Sequence, residues 1–378
     1  MKDFVRQEVF QSCSTVIVKV GTNVLTDAAD RLDPQRIRDL GEQLARLRQT
    51  GRRVVLVTSG AVGAGMELLG LPERPRSLPE LQAAAAVGQP LLIRTWSEAL
   101  AVHGLQSAQL LLTGNDFRNR QRYLNVRNTL RTLFDYGAIP IVNENDTVSI
   151  EEIALGDNDQ LASMLATLVH APLLVILSSI DGLFDGPPDA EGTQVIPIVE
   201  RPDESLLRFA SARQSSRGRG GMGSKLKAIL AATGMGETVI LANGRQPGVL
   251  DLVREGEQTG TLFLPHSGVV PAWKRWLASG APPAGSLVLD AGAVRAVQEQ
   301  GRSLLAVGIQ QVNGEFEAGA LVRLLTLDNH EVARGLANYS AEDLQRIKGR
   351  RSEQIAETLG HVPFGEVIHR DNLSLTRP

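Results

Sequence analysis

The feature that most restricts this chain is a repeated pairing. A short, largely apolar run is followed by a segment whose apolar residues recur with helical spacing. Val16-Ile17-Val18-Lys19-Val20 precedes Ile37, Leu40, Leu44 and Leu47, which share one helical face. Val54-Val55-Leu56-Val57 precedes a glycine-rich turn and then Met66, Leu68 and Leu69. An Ala/Leu-rich stretch runs from Pro79 to Val102, Gln109–Leu112 reads as a strand, and Tyr123–Phe134 reads as a helix. Ile139–Val142 is the next strand, a helix runs from about Asp159 to Val169, and Leu173–Leu177 and Thr238–Leu241 complete the set. Apolar strands without polar alternation must be covered on both faces, and parallel strands need a crossover helix. The pattern therefore predicts an α/β sandwich with a mostly parallel sheet over roughly the first 260 residues, with ligands bound along the rim of strand C-termini.

Gly280-Ala281-Pro282-Pro283-Ala284-Gly285 interrupts this pattern and reads as a hinge. Beyond it, Leu287–Asp290, Leu304–Gly308, Leu321–Leu325 and Val332–Leu336 read as short strands, and only Gly292–Gln300 and Glu342–Lys348 as helices. A small β-rich second domain is expected. With 43% hydrophobic and 21% charged residues, the chain can bury a large core and is not a disordered polymer. A net charge of −3 lacks the basic excess of a general nucleic-acid binder. The one cysteine, Cys13, cannot form an internal disulfide. No apolar run reaches the ~18 residues of a membrane span, and Met1–Phe10 has no signal-peptide core, so a cytoplasmic protein is expected.

Four segments carry chemistry. In the first, Lys19 sits in an apolar strand just before Gly21. A buried lysine is costly unless it meets an anion, whereas on an edge strand it could reach water. The second is Thr58-Ser59-Gly60-Ala61-Val62-Gly63-Ala64-Gly65, whose small residues suit an anion at a helix N-terminus and equally suit tight strand-to-helix packing. The third is Asn143-Glu144-Asn145-Asp146, closely followed by Gly156-Asp157-Asn158-Asp159 at a helix start. One residue there can be an N-cap. The rest suit a small polar substrate bearing an ammonium group, Mg²⁺ held through water, or a solvated loop.

The fourth, Gly218-Arg219-Gly220-Gly221-Met222-Gly223-Ser224-Lys225, mimics two nucleotide motifs but lacks the preceding apolar strand of one and the Lys-then-Ser/Thr order of the other. Glycine N–H groups, a helix start and a lysine remain, which together suit phosphate; a flexible linker is the plainer alternative. Two lysines on separate glycine turns, an acid/amide cluster and no His/Cys metal constellation point to phosphoryl transfer, which works by positioning and charge neutralisation. A carboxylate acceptor is already ionised at neutral pH and needs no general base.

These segments, with Val57-Thr58-Ser59-Gly60-Ala61, resemble the glutamate 5-kinase family within the amino acid kinases, in order and spacing. The tail resembles a PUA domain through Leu289-Asp290-x-Gly292-Ala293 and His369-Arg370-Asp371. The resemblance implies an amino-acid-kinase-like three-layer sandwich over residues 12–262, a linker over 263–285 and a PUA-like domain over 286–372. It implies that Lys19 and Lys225 stabilise the transferring phosphoryl group, that Asp159 orients them, and that Ser59, Asp146 and Asn158 bind glutamate. Lys19, Ser178, Ser179 and the stretch Arg219, Gly220, Gly221, Met222, Gly223, Ser224, Lys225 would contact ATP, accompanied by Mg²⁺, and no residue is assigned as a metal ligand. Proline as inhibitor, a homo-oligomer and a glutamate-5-semialdehyde dehydrogenase as the next enzyme are also implied.

Two positions depart from the family pattern. Ser179 stands where an aspartate is usual, and Arg219 where a threonine is usual; both bear on nucleotide contacts. Two other classes of function stay open at this level. One is a kinase of another small carboxylate or carbamate. The other is a non-catalytic RNA-binding or regulatory protein, because PUA domains bind RNA elsewhere. Residues 281–378 hold 10 Lys/Arg against 12 Asp/Glu, with Arg346–Arg351 the only basic run, so RNA is the less favoured partner.

Overall fold

The computed structural model describes residues 3–27, 30–149, 158–188, 190, 192–210, 221–265, 283–360 and 365–375. The chain divides into two compact units, Met1–Val269 and Val270–Pro378. The first is built on an eight-stranded sheet of β1 (Thr15–Val20), β2 (Arg53–Val57), β3 (Ser107–Leu112), β4 (Ile139–Glu144), β5 (Leu173–Ser178), β6 (Ile198–Val199), β7 (Thr238–Asn243) and β8 (Thr261–Phe263). Their spatial order is β3-β4-β2-β1-β5-β7-β8-β6. All pairings are parallel except β7 with β8.

Side-chain alternation on these strands feeds two cores, one per face of the sheet. Val16, Val18 and Val20 of β1 enter one core with α3 (Pro34–Gln49) and α5 (Leu78–Ala101). Ile17 enters the other, with α7 (Arg120–Asp135), α8 (Asn158–Val169) and α9 (Met222–Gly234). Among the described residues, the remaining helices of this unit are α1 (Phe4–Ser12), α2 (Thr22–Leu25), α4 (Ala61–Leu69), α6 (Gly114–Arg118) and α10 (Val249–Glu255). Sequence sets the helix starts. Asp33 accepts N–H bonds from Gln35 and Arg36 ahead of Pro34 in the first turn of α3, and Ser77 with Glu80 forms a capping box on α5. Ile37, Leu40, Leu44 and Leu47 are all buried, as their spacing predicts.

The glycine-rich segment after β2 divides between two uses. Gly60 has φ +110°, the left-handed region, and ends the strand-to-helix turn. Gly65 serves packing: a Cβ there would lie 1.7 Å from the carbonyl oxygen of Ala84, and one on Gly88 would lie 2.0 Å from that of Ala61. Helices α4 and α5 thus touch backbone to backbone, which carries the start of α4 to the sheet rim. Leu68 and Leu69, expected to continue the buried pattern, are 56% and 47% exposed; α4 buries its small residues instead.

The second unit carries a five-stranded sheet, β10-β9-β11-β12-β13. Its strands are β9 (Gly285–Leu289), β10 (Ile309–Asn313), β11 (Leu321–Leu325), β12 (Glu331–Leu336) and β13 (Leu373–Leu375). Its helices among the described residues are α11 (Ala291–Gln298), α12 (Ala341–Ile347) and α13 (Ser352–Leu359). Here the expectation of a strand over Leu304–Gly308 is corrected. Leu304 makes an isolated bridge to Ile368, and Ala306–Gly308 is a 3-10 turn. Gly308 passes so close to α11 that a Cβ would sit 2.4 Å from that of Ala293, and the chain turns there before β10 begins.

Candidate active site

Lys19 lies near the C-terminal end of β1, and β1 runs between β2 and β5 in mid-sheet. The edge-strand reading is therefore excluded. By alternation Lys19 shares the face of Ile17, the face covered by α8 and α9, and it is 3% exposed. Both helices begin at this rim. Asp159, in the first turn of α8, is fully buried, and Lys225, in the first turn of α9, is 9% exposed.

The three groups meet. Lys19 Nζ lies 2.6 Å from Asp159 Oδ1, and Lys225 Nζ lies 2.9 Å from Oδ2. A single carboxylate thus gathers two ammonium groups from distant parts of the chain. Burying these charges is costly, and the pairing offsets that cost only because the geometry is close. Taken by themselves the three groups sum to +1, which favours an anion beside them. Just before Lys225, the Ser224 hydroxyl is buried with no hydrogen-bond partner among the described residues. Gly221 is the N-cap of α9, a helix end whose N–H groups suit phosphate.

The neighbouring part of the rim is built mainly from amides and hydroxyls, with the carboxylate of Glu144 among them. Asn143 and Glu144 close β4 and are buried rather than looped out. Asn143 lies on the α5 side, where its Nδ2 donates to Gln89 Oε1 at 2.8 Å. Its Oδ1 accepts from the Glu144 backbone N–H at 2.8 Å and from Asn158 Nδ2 at 2.9 Å. Asn158 Nδ2 also reaches the Thr58 carbonyl at 2.6 Å and Ser59 Oγ at 2.9 Å. Trp96 Nε1 donates to Thr58 Oγ1 at 2.9 Å, and Ser149 Oγ to Glu144 at 2.8 Å. Asn158 Oδ1 is buried without a partner among the described residues.

The structure thus joins Lys19, Asp159 and Lys225 in one cluster and Ser59 and Asn158 in another, and the two are contiguous through residues 158 and 159. Asp146 lies half-buried in the turn after β4. Ser178 ends β5 and is buried, whereas Ser179 is exposed. Nearby, Asn243 donates to Asp181 at 2.8 Å. Met222, Gly223 and Ser224 form the first turn of α9 with Lys225. Arg219 and Gly220, like Asp157, lie outside the described residues. Among the described residues no group of three His, Cys, Asp or Glu side chains could hold a metal ion, and no helix is long and apolar enough to cross a membrane.

Sequence reasoning did not single out Gln89 or Trp96 as parts of this site. Gln89 had a faint signal, an amide next to Pro90 in an otherwise Ala/Leu-rich helix.

The model of the amino acid kinase family matches residues 14–243, and that of the PUA domain matches residues 285–359. The chain is 44% identical over 373 residues to the glutamate 5-kinase of Rhodopirellula baltica, covering 98% of this chain and 96% of the relative. It is 47% identical over 360 residues to the glutamate 5-kinase of Thioalkalivibrio sulfidiphilus, with 95% and 96% covered. With the glutamate 5-kinase of Thermus thermophilus the identity is 47% over 364 residues, with 96% and 98% covered.

Proposed function

The chain belongs to the amino acid kinase family, and from that premise we propose that it phosphorylates glutamate with ATP. The product is L-glutamyl 5-phosphate, in the first step of proline biosynthesis. Glutamate's γ-carboxylate oxygen forms a bond to the γ-phosphorus of ATP as the bond to the β,γ-bridging oxygen breaks and ADP leaves. No proton moves, because the acceptor is already ionised. The observation that carries this reading is the convergence of Lys19 and Lys225 on Asp159.

An ammonium group has three N–H donors, so each lysine can hold Asp159 and a phosphoryl oxygen together. Charge that builds on the migrating group meets donors already in place, which is how phosphoryl transfer is accelerated. Asp159 is an orienting group here. With both its oxygens held by ammonium groups it is a poor base and a poor metal ligand. Ser59, Asp146 and Asn158 hold the amino acid, and the start of α9, with Ser224, holds the nucleotide phosphates. Ser178, which ends β5, contacts the nucleotide, and Ser179 and Arg219 adjust its contacts. Mg²⁺ would accompany ATP and would supply neutralisation of the phosphate charge. The family resemblance further supports inhibition by proline, a homo-oligomer, a cytoplasmic location and a reductase that consumes the labile acyl phosphate.

Trapping the acyl phosphate with hydroxylamine tests the reading. Hydroxamate forms with glutamate, ATP and Mg²⁺, and at far lower rates with aspartate, N-acetylglutamate or carbamate. Preference for one of those acids, or no turnover with any, overturns it. Adding proline to the same assay should lower the rate.

A further inference from the structure

The hydrogen-bond chain from α5 into the rim has a direction, and two backbone atoms fix it. The Glu144 N–H can only donate, so Asn143 must turn Oδ1 toward it. The Thr58 carbonyl can only accept, so Asn158 must turn Nδ2 toward it. These demands agree, because Asn158 Nδ2 then also meets Asn143 Oδ1. Asn143 Nδ2 is left facing α5, where Gln89 Oε1 accepts from it at 2.8 Å. The planar amide of Asn158 consequently presents its carbonyl oxygen, buried and without a partner among the described residues, on the side away from Thr58.

We infer that Gln89 is a positioning residue that, by accepting from Asn143 Nδ2, holds the Asn143–Asn158 pair firmly in the polarity the backbone sets, so that the site offers an acceptor to the ammonium group of an amino-acid substrate. Gln89 is 9% exposed and sits on a helix that supplies no group to the phosphoryl-transfer cluster. Its oxygen is the acceptor that the structure gives Asn143 Nδ2. Without that acceptor, Asn143 Nδ2 is a buried donor lacking its partner, and the side chain is no longer held from the α5 side. An Asn143 side chain that shifts to relieve that donor loosens its bond from Asn158 Nδ2 and, with it, the placement of Asn158. The inference rests on the reading that Asn158 holds the amino acid.

Gln89→Met, which keeps shape but removes the acceptor, tests this alongside Gln89→Glu, which keeps an acceptor oxygen. The KM for glutamate should rise about tenfold in Gln89→Met, with kcat and the KM for ATP within about twofold. The kcat/KM for glutarate, which lacks the ammonium group, should change less than about twofold, so discrimination between the two acids narrows. Gln89→Glu should restore the KM for glutamate to near its original value. An unchanged KM in Gln89→Met overturns the inference. So does equal damage to glutamate, glutarate and ATP kinetics in both variants, because a general packing defect would give that. Asn158→Ala serves as the comparator. If it raises the KM for glutamate and Gln89→Met does not, the role of Gln89 falls and the binding reading stands; if neither does, both fall.

Discussion

On the proposed reading, the two halves of this rim solve opposite problems. The phosphoryl half is built from charge: Lys19, Asp159 and Lys225, all buried and held by ion pairs of 2.6 and 2.9 Å. The amino-acid half is built mainly from amides and a hydroxyl, whose donors and acceptors are ordered by backbone atoms, with Glu144 ending β4 and Asp146 in the turn after it. Charge suits the half where negative charge redistributes during reaction, because fixed ammonium groups need not reorganise as the phosphoryl group moves. Dipoles suit the half that must recognise one ground-state molecule by the placement of its donors and acceptors. Damage to the first half should thus appear in kcat, and damage to the second in the KM for glutamate.

The largest effect falls on the shared anchor. Asp159→Ala leaves two lysines buried with their common counter-charge gone. It should lower kcat by about a thousandfold or more and stability by roughly 3–5 kcal/mol, read by the hydroxamate assay and urea unfolding. Retention of activity within tenfold breaks the distinction. Next, Lys225→Ala should lower kcat by about 10²–10³ while the KM for glutamate stays within about twofold. A mainly KM effect would move Lys225 into the binding half.

A smaller effect, outside both halves, serves as a control. Glu237 is 6% exposed at the turn into β7, and burial raises its pKa from 4.5 to about 7, against hydrogen bonds from its own backbone and Thr167 that lower it. Because the folded value lies above the unfolded one, its contribution to stability is complete below pH 4.5. That contribution is lost as pH rises through about 7. Glu237→Gln should therefore be the more stable form at pH 8, by up to roughly 3 kcal/mol, with kcat and KM unaltered. Matching stability curves for the two proteins from pH 4 to 8 would contradict this.

Much of the charged half was legible because a lysine inside an apolar strand is conspicuous. What local pattern could not reveal was that β1 lies in mid-sheet, since strand order is a property of the whole chain; hence snorkelling to water stayed open for Lys19. The glycines of 60–65 were ambiguous for a different reason. Conformational need and helix contact both select glycine, and here Gly60 answers to the first and Gly65 to the second. The acid/amide segment was visible, yet its division was not. Asn143 and Glu144 are buried strand residues, while Asp146 belongs to the following turn. Gln89 was hidden because a lone amide in a helix ordinarily faces solvent. Strands β6 and β8, two and three residues long, are too short to leave a periodic signal. In the second unit the apolar run Leu304–Gly308 imitates a strand, while its backbone turns beside α11.

The central claim is that both lysines act on one phosphoryl group. A crystal structure with glutamate and a non-hydrolysable ATP analogue tests it most directly. The account predicts Lys19 Nζ and Lys225 Nζ each within about 3 Å of oxygens on the γ-phosphoryl position, with both still on Asp159 and the glutamate γ-carboxylate in line. A complex in which either lysine lies against the adenine, the amino acid or solvent would contradict it.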